Sequence, residues 1–140
     1  MKKWLMPCIA VVMYASIMLS AGCIKKAENY QQFAVSFEWQ GGGLQSPSPP
    51  IVVTNPPAGT AFFRVQMTDL DMTSFDHGGG VVPCTFKNGV ATIEAGAIKG
   101  YRGPEPPALQ RHQYMIKVFA LNADQTLVLG EGKAVRRYPQ

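Results

Sequence analysis

The sequence predicts an all-β domain with little helix, and three features of the chain indicate this fold class. Short segments that alternate apolar and polar residues recur at intervals of roughly ten residues, as in sandwich proteins. The 14 glycines and 11 prolines fall between these segments, and both residue types interrupt regular structure. No segment after the N-terminal region keeps a helical period over three turns. Because 140 residues allow one domain, we expect a single β-sandwich.

The N-terminus is set apart as an export signal. The positively charged residues of Met1 to Lys3 precede an uncharged, mostly apolar run from Trp4 to Gly22. Small residues, Ser20 to Gly22, stand directly before Cys23, where a signal peptidase needs small side chains and where the thiol can accept a diacylglyceryl group. We predict a lipoprotein signal peptide over 1–22. An ordinary signal peptide or an uncleaved anchor helix is the alternative.

Cys23 then becomes the lipid-carrying first residue of the mature chain, modified with palmitate-type acyl groups. Ile24 follows it rather than Asp, and resemblance to other lipoproteins of this kind suggests the outer membrane, facing the periplasm. The polar stretch Ala27 to Gln32 predicts a lipid-anchored tether over 23–32. The β-sandwich domain is predicted over 33–140.

Charge and cysteine content narrow the function classes. Apart from Lys2 and Lys3, the chain carries 11 Lys and Arg against 9 Asp and Glu. Because the basic residues are scattered, no nucleic-acid partner is expected. Cys8 lies in the signal and Cys23 carries the lipid, so Cys84 has no partner for an internal disulfide and is expected to be buried.

Seven strands are predicted in the mature chain. They span 33–39, 51–53, 60–68, 81–86, 90–93, 114–121 and 132–138. Lys87, Asn88 and Gly89 join two of them, and Asn-Gly is a strong hairpin signal. The stretches 41–50, 69–80 and 96–110 are rich in Gly, Pro or polar residues and predict loops.

Polar residues that can carry chemistry lie in or beside two of these loops. Asp69, Asp71 and His77 belong to the first, while His112 and Tyr114 follow the second at the start of a strand. Two carboxylates with two histidines can bind a metal ion. They can equally hold an anion between protonated imidazoles and backbone N–H groups, or the aspartates can simply cap turns. Spacing alone does not choose between these readings.

Four stretches of the chain, in order, carry a resemblance to a known family. They are Ser48-Pro49-Pro50-Ile51 with Pro57-Ala58-Gly59-Thr60; Thr68-Asp69-Leu70-Asp71; Gly100 to Pro107 with His112-Gln113-Tyr114; and Gly130 to Val135. They resemble motifs of the phosphatidylethanolamine-binding protein family, also called Raf kinase inhibitor-like, in its bacterial branch. In order, these motifs are the SPP and PAGT turn, the DPDxP strand end, the G-Y-x-G-P-x-P-P…H-R-Y segment and the closing strand. The third stretch is the most specific. The resemblance covers most of residues 36–138.

The resemblance implies an antiparallel Greek-key β-sandwich with a small pocket at one end. In the family this pocket binds phosphate-like or carboxylate anions, including phospholipid headgroups. The residues expected to bind the anion are Asp69, Asp71, His77, Gly103, Pro104, His112 and Tyr114. This chain departs from the motifs at Leu70, Thr73 and Gln113, and Gly78 to Gly80 stand where a strand should begin. The family's helix before its last strand has no room here and is expected to be absent.

The sequence therefore favours a membrane-anchored, non-catalytic protein that binds small anions or phospholipid headgroups and needs no cofactor. Catalysis is not expected, because no nucleophile stands with a base and an orienting group and no G-x-S-x-G elbow occurs. The alternative function is a periplasmic protein-interaction or inhibitor module with a degenerate pocket. A metal-dependent hydrolase using Asp69, Asp71, His77 and His112 is a third hypothesis.

Overall fold

The computed structural model describes residues 24–140, which form ten strands and no helix. The strands are β1 (Lys25–Gln32), β2 (Ala34–Phe37), β3 (Ile51–Thr54), β4 (Phe62–Asp69), β5 (Asp76–Pro83), β6 (Phe86–Lys87), β7 (Val90–Ile93), β8 (Gly100–Tyr101), β9 (His112–Leu121) and β10 (Leu127–Tyr138). Within this range no helix suited to crossing a membrane is present. The predicted signal peptide over 1–22 and the lipidation site Cys23 lie outside the described residues.

The strands form two sheets. One has six strands in the order β1-β10-β9-β4-β5-β8, and the other has four in the order β2-β3-β7-β6. Neighbouring strands are antiparallel, except that β1 runs parallel to β10. The core between the sheets includes Phe63 and Val65 of the large sheet and Ile51, Val53 and Ile93 of the small one. The all-β prediction is confirmed, and β9 connects to β10 without a helix.

The central strand β9 shows why the sheets pack together. Tyr114, Ile116, Val118 and Ala120 are fully buried, whereas the residues between them reach the outer face. This alternation follows from the two-residue period of a strand. Burying each large apolar side chain stabilises the fold by about 1.5–3 kcal/mol. The same geometry places the start of β9, where His112 lies, at one end of the sandwich.

The segment predicted as a tether is instead the first strand of the domain. β1 begins at Lys25 and pairs with the start of β10, with Gln31 opposite Gly130. Its sequence is polar because β1 lies at the edge of the sheet and only Ala27 and Tyr30 are half-buried. A strand that buries so little surface needs no apolar alternation, so composition alone did not indicate it.

The loop predicted over 69–80 is shorter than expected, because β5 begins at Asp76 and contains the three consecutive glycines. Glycine is uncommon in strands, which is why the sequence indicated a loop. Here glycine is required by close approach: a Cβ on Gly79 would overlap the carbonyl oxygen of Val65, and Gly78 has φ +68°. The predicted 96–110 loop likewise contains the short strand β8.

The hairpin predicted at Asn88-Gly89 is confirmed. β6 pairs with β7, and the two turn residues have φ values of 53° and 81°. Positive φ at both central positions is what the tight hairpin turn demands. Cys84, just before this hairpin, is a free and half-buried thiol, and burial raises its pKa.

Candidate functional site

A small cavity lies at the end of the sandwich where β4 ends and β9 begins. Its volume is about 60 Å³. A cavity that holds a single water molecule has a volume of about 10–15 Å³, so this cavity has room for a group of a few atoms. The lining residues are Leu44, Asp69, Met72, Phe75, His77, Glu105, Pro107 and His112.

Asp69 ends β4 on its buried face, and its carboxylate is fully hydrogen-bonded. Oδ1 accepts hydrogen bonds from the backbone N–H groups of Asp71 and Met72, at 2.8 and 3.0 Å. Oδ2 lies 2.7 Å from Nδ1 of His112. Asp69 therefore caps the turn that follows β4 and also orients an imidazole ring. Both sets of hydrogen bonds favour the ionised carboxylate.

The pKa of Asp69 reflects two opposing effects. Burial disfavours the charged form and raises the pKa. The hydrogen bond from His112 and those from the two backbone N–H groups favour the charged form and outweigh burial, so the pKa of Asp69 lies below its ordinary value. The cavity thus contains a stable negative charge.

His112 lies between two oxygen atoms. Nδ1 faces Asp69, and Nε2 lies 3.2 Å from Oε1 of Gln110. Only a protonated ring donates to both oxygens. If the Gln110 amide is rotated, its NH₂ group donates to a neutral ring instead. In either state Asp69 fixes the plane of the imidazole at the cavity wall.

His77 enters the cavity from β5, and among residues 24–140 only one of its two ring nitrogens has a hydrogen-bond partner. Nδ1 lies 3.0 Å from the carbonyl oxygen of Arg102. Because a carbonyl only accepts hydrogen bonds, Nδ1 carries a hydrogen. The ring packs against Phe75 and edge-on against Tyr114, at centroid distances of 4.6 and 5.3 Å. Its Nε2 accepts a hydrogen bond when the ring is neutral and donates one when it is protonated.

Tyr114 stands behind the histidines, fully buried on β9. Its ring stacks with that of His112 and lies edge-on to Trp39. The hydroxyl has no hydrogen-bond partner among residues 24–140. Burial, followed by the nearby charge of Asp69, raises the pKa of Tyr114. The hydroxyl is therefore a neutral donor held close to the carboxylate.

Besides Tyr114, three of the predicted binding residues support the site without lining the cavity. Asp71 is exposed, and its Oδ2 accepts a hydrogen bond of 2.6 Å from the N–H of Gln113, which fixes the turn to β9. Gly103 and Pro104 are buried and bond to another loop: Gly103 N–H donates to Leu44 C=O, and Gly43 N–H donates to Pro104 C=O. These bonds hold Leu44 in the cavity wall.

The cavity also contains residues that sequence reasoning did not single out. Glu105 and Pro107 belong to the Gly-Pro-x-Pro-Pro stretch, and Met72 and Phe75 belong to the loop that holds Asp69. Their place in these stretches was the available signal. No sequence signal indicated Leu44, because its position depends on hydrogen bonds between two loops that are distant in sequence.

A cation site is conceivable at the same place. One ligand atom from each of Asp69, Asp71 and His112 lies within 4.8 Å of the others. The atoms are already bonded to protein, however: both oxygens of Asp69, Nδ1 of His112 and Oδ2 of Asp71 have partners. The arrangement is complete as a hydrogen-bond network, so its geometry gives no reason to add a metal.

These features define a class of protein: an all-β sandwich with a small, partly polar pocket at one end. The chain belongs to the phosphatidylethanolamine-binding protein family, whose model matches residues 24–138. The resemblance identified from the motifs is thereby confirmed. Membership supports a ligand-binding, non-catalytic protein in general. The match begins at residue 24, in agreement with β1 being part of the domain.

Two solved structures share the fold. Escherichia coli YbcL, a member of the mammalian PEBP family, superposes with a TM-score of 0.55 at 16% sequence identity, covering 76% of this chain and 97% of YbcL. The phosphatidylethanolamine-binding protein homologue CT736 of Chlamydia trachomatis gives a TM-score of 0.54 at 15% identity, covering 80% of this chain and 99% of CT736. No curated protein matches the chain in sequence.

Proposed function

We propose that this protein is a membrane-anchored lipoprotein that binds a small anion, phosphate-like or carboxylate, in the pocket at the end of the sandwich, without catalysis. A phospholipid headgroup is one such ligand. The observation that carries the proposal is the convergence of two buried histidines and a buried aspartate on one small cavity. Buried titratable groups around a cavity are a general feature of binding sites.

Protonation decides how the pocket receives an anion. Asp69 and Glu105 bring negative charge to the cavity, so a bound anion needs compensating donors. His77 supplies one at Nε2 when protonated, because Nδ1 is already occupied by the Arg102 carbonyl. The protonated His77 ring should therefore hold an anion more strongly than the neutral ring does.

NMR titration of the two histidines tests this proposal. Inorganic phosphate or phosphoethanolamine should shift the ring signals of His77, with a smaller shift for His112. His77→Gln should abolish binding while leaving the core intact. Asp124→Asn, in the turn between β9 and β10, is the matched control and should change nothing. Unmoved histidine signals at millimolar ligand would refute anion binding.

The lipid anchor is tested separately. We propose that Cys23 carries acyl chains and holds the domain at the outer membrane, facing the periplasm, in keeping with the small residues before it and with Ile24 after it. Radiolabelled palmitate should enter the wild-type protein in a bacterial host, but not a Cys23→Ala variant. The wild type should fractionate with outer membranes. Equal labelling of the two proteins would contradict the assignment.

The cavity is small, and the carboxylate of Glu105 in its wall repels an anion. Both features favour one alternative, a protein-interaction or inhibitor module. In that case affinity capture returns a stoichiometric periplasmic partner, and His77→Gln and Asp69→Asn leave the capture unchanged. Loss of the partner in both variants would instead assign the pocket to the interaction.

A further inference from the structure

The outer face of the six-stranded sheet carries an uneven distribution of charge. On β9 and β10 this face contains Lys117, Lys133 and Arg137, which alternate with residues of the inner face, and Lys133 lies directly opposite Lys117. Arg64 of β4 joins them, with its guanidinium 4.7 Å from the ring centroid of Phe119. We call this surface the basic sheet face.

The edge strand extends the same surface. Lys26 of β1 lies 4.4 Å above the ring of Tyr30. The basic sheet face thus gathers five of the 11 Lys and Arg residues in the described part of the chain. Glu131 is the one acid among them in the central strands, paired with Lys117 at 3.1 Å. Asp76 borders the face at the pocket end, where Asp69, Asp71 and Glu105 also lie.

The pairing of Lys117 with Lys133 is costly for the fold. Like charges directly opposite each other on one face of a sheet destabilise it. Glu131 compensates only Lys117, and among residues 24–140 Lys133 has no ion pair. Folding alone disfavours this arrangement of two lysines. A negatively charged surface outside the protein would compensate the positive charge of Lys133.

Apolar side chains accompany the cations. Val81 and Val135 are 46% and 38% exposed. Val81 lies opposite Arg64, and Val135 opposite Met115. Basic residues that alternate with exposed apolar groups on one face are typical of surfaces that lie at a lipid interface, where both headgroup charge and the outermost hydrocarbon are available.

We infer that the basic sheet face docks onto a bilayer containing anionic phospholipid. Charge complementarity supports this docking, because Lys133, Val135 and Arg137 are exposed on the face among residues 24–140. Docking of this kind needs neither the pocket nor the lipid anchor. Each basic residue near an anionic membrane contributes about fivefold to binding.

Flotation with vesicles tests the inference. Residues 24–140 contain both sheets and the core, so this segment is suitable once cooperative urea unfolding shows that it is folded. It should float with vesicles of equal parts phosphatidylglycerol and phosphatidylcholine, but not with pure phosphatidylcholine, and high salt should release it. The combined variant Lys117→Gln, Lys133→Gln and Arg137→Gln should bind about a hundredfold more weakly.

Two further variants separate docking from folding and from general charge. Lys133→Glu places an acid opposite Lys117, which should maintain or raise stability while weakening vesicle binding. Lys87→Gln with Lys99→Gln and Arg111→Gln removes the same charge from exposed sites elsewhere and should leave most binding intact. Equal loss in the control triple, equal binding to neutral vesicles, or a self-association that Lys133→Glu abolishes would each overturn the inference. The pocket proposal would be unaffected.

Discussion

The Asp69–His112 pair both stabilises the fold and shapes the pocket. The same carboxylate caps the turn after β4 and fixes the imidazole at the cavity wall. Sequence motifs predicted both residues, together with His77 and Tyr114. They could not indicate that Gly103 and Pro104 act from behind the cavity, because that depends on hydrogen bonds to the distant Gly43–Leu44 segment.

Replacing Asp69 with Asn should destabilise the protein in a pH-dependent way. At neutral pH the loss should be about 2 kcal/mol, because an amide places an NH₂ group or a neutral oxygen against His112 in a buried site. The pKa of Asp69 is lowered in the folded state, so its contribution is complete above the unfolded pKa of about 4 and is lost as the pH falls through the folded value.

Urea unfolding of the wild type and Asp69→Asn at decreasing pH measures this effect. The two free energies of unfolding should converge in acid. Asp124→Asn replaces an exposed aspartate in the β9–β10 turn and should cost much less at neutral pH. A difference between wild type and Asp69→Asn that stays constant down to strongly acidic pH would show that the carboxylate's charge is not the stabilising feature.

At the scale of elements, sequence predicted the strands that bury one face and missed those that do not. β9 and β4 alternate visibly because their inner residues fill the core. β1 has almost no apolar residues, and three of the eight residues of β5 are consecutive glycines, so neither shows the period that identifies a strand. Both are fixed by pairing with a neighbour, which is information from distant parts of the chain.

Deletion of residues 24–32 should destabilise the domain, whereas removing a true tether would not. β1 covers the edge of β10, and its Tyr30 lies against Glu131. Burial, together with that carboxylate, raises the pKa of Tyr30 to about 12. A milder test is Gly130→Ala, because a Cβ there would overlap the carbonyl oxygen of Gln31. We expect a loss of about 1–3 kcal/mol in the free energy of unfolding.

Lys25→Ala provides the control for these changes, since its exposed side chain leaves the strand backbone intact. Its urea midpoint should match that of the wild type. If the urea midpoints of both the deletion and Gly130→Ala equal that of the wild type, residues 24–32 are a linker and not a strand that stabilises the domain.

At the scale of the whole molecule, the two ends of the described chain meet in one sheet. β10 lies between β1 and β9, so the large sheet is complete only when the last strand is available. Four of the eight strand pairings, β1–β10, β4–β9, β5–β8 and β3–β7, join strands that are not neighbours in sequence. Such topologies fold slowly, because long loops must close before the contacts that stabilise them form.

We therefore expect folding in the range of milliseconds to seconds. Trp39 reports on it directly: it is the one tryptophan of residues 24–140, and its ring packs against Tyr114 and Tyr138 at 5.8 and 5.7 Å. Stopped-flow measurement after dilution from urea should show the fluorescence of Trp39 changing as the protein folds. A chain that ends at residue 126 should lack the native signal. Complete recovery within microseconds would contradict this view.

The four outermost strands of the two sheets also determine how the protein behaves when crowded. β6 and β8 have two residues each and β2 has four, too few to recruit another chain by strand addition. Among the strands of residues 24–140, β1 is the one long edge, and there Lys25, Lys26 and Glu28 are exposed. Short or charged edges discourage intermolecular β-pairing. The molecule is thus protected against fibril-like aggregation, even where many copies share a small volume.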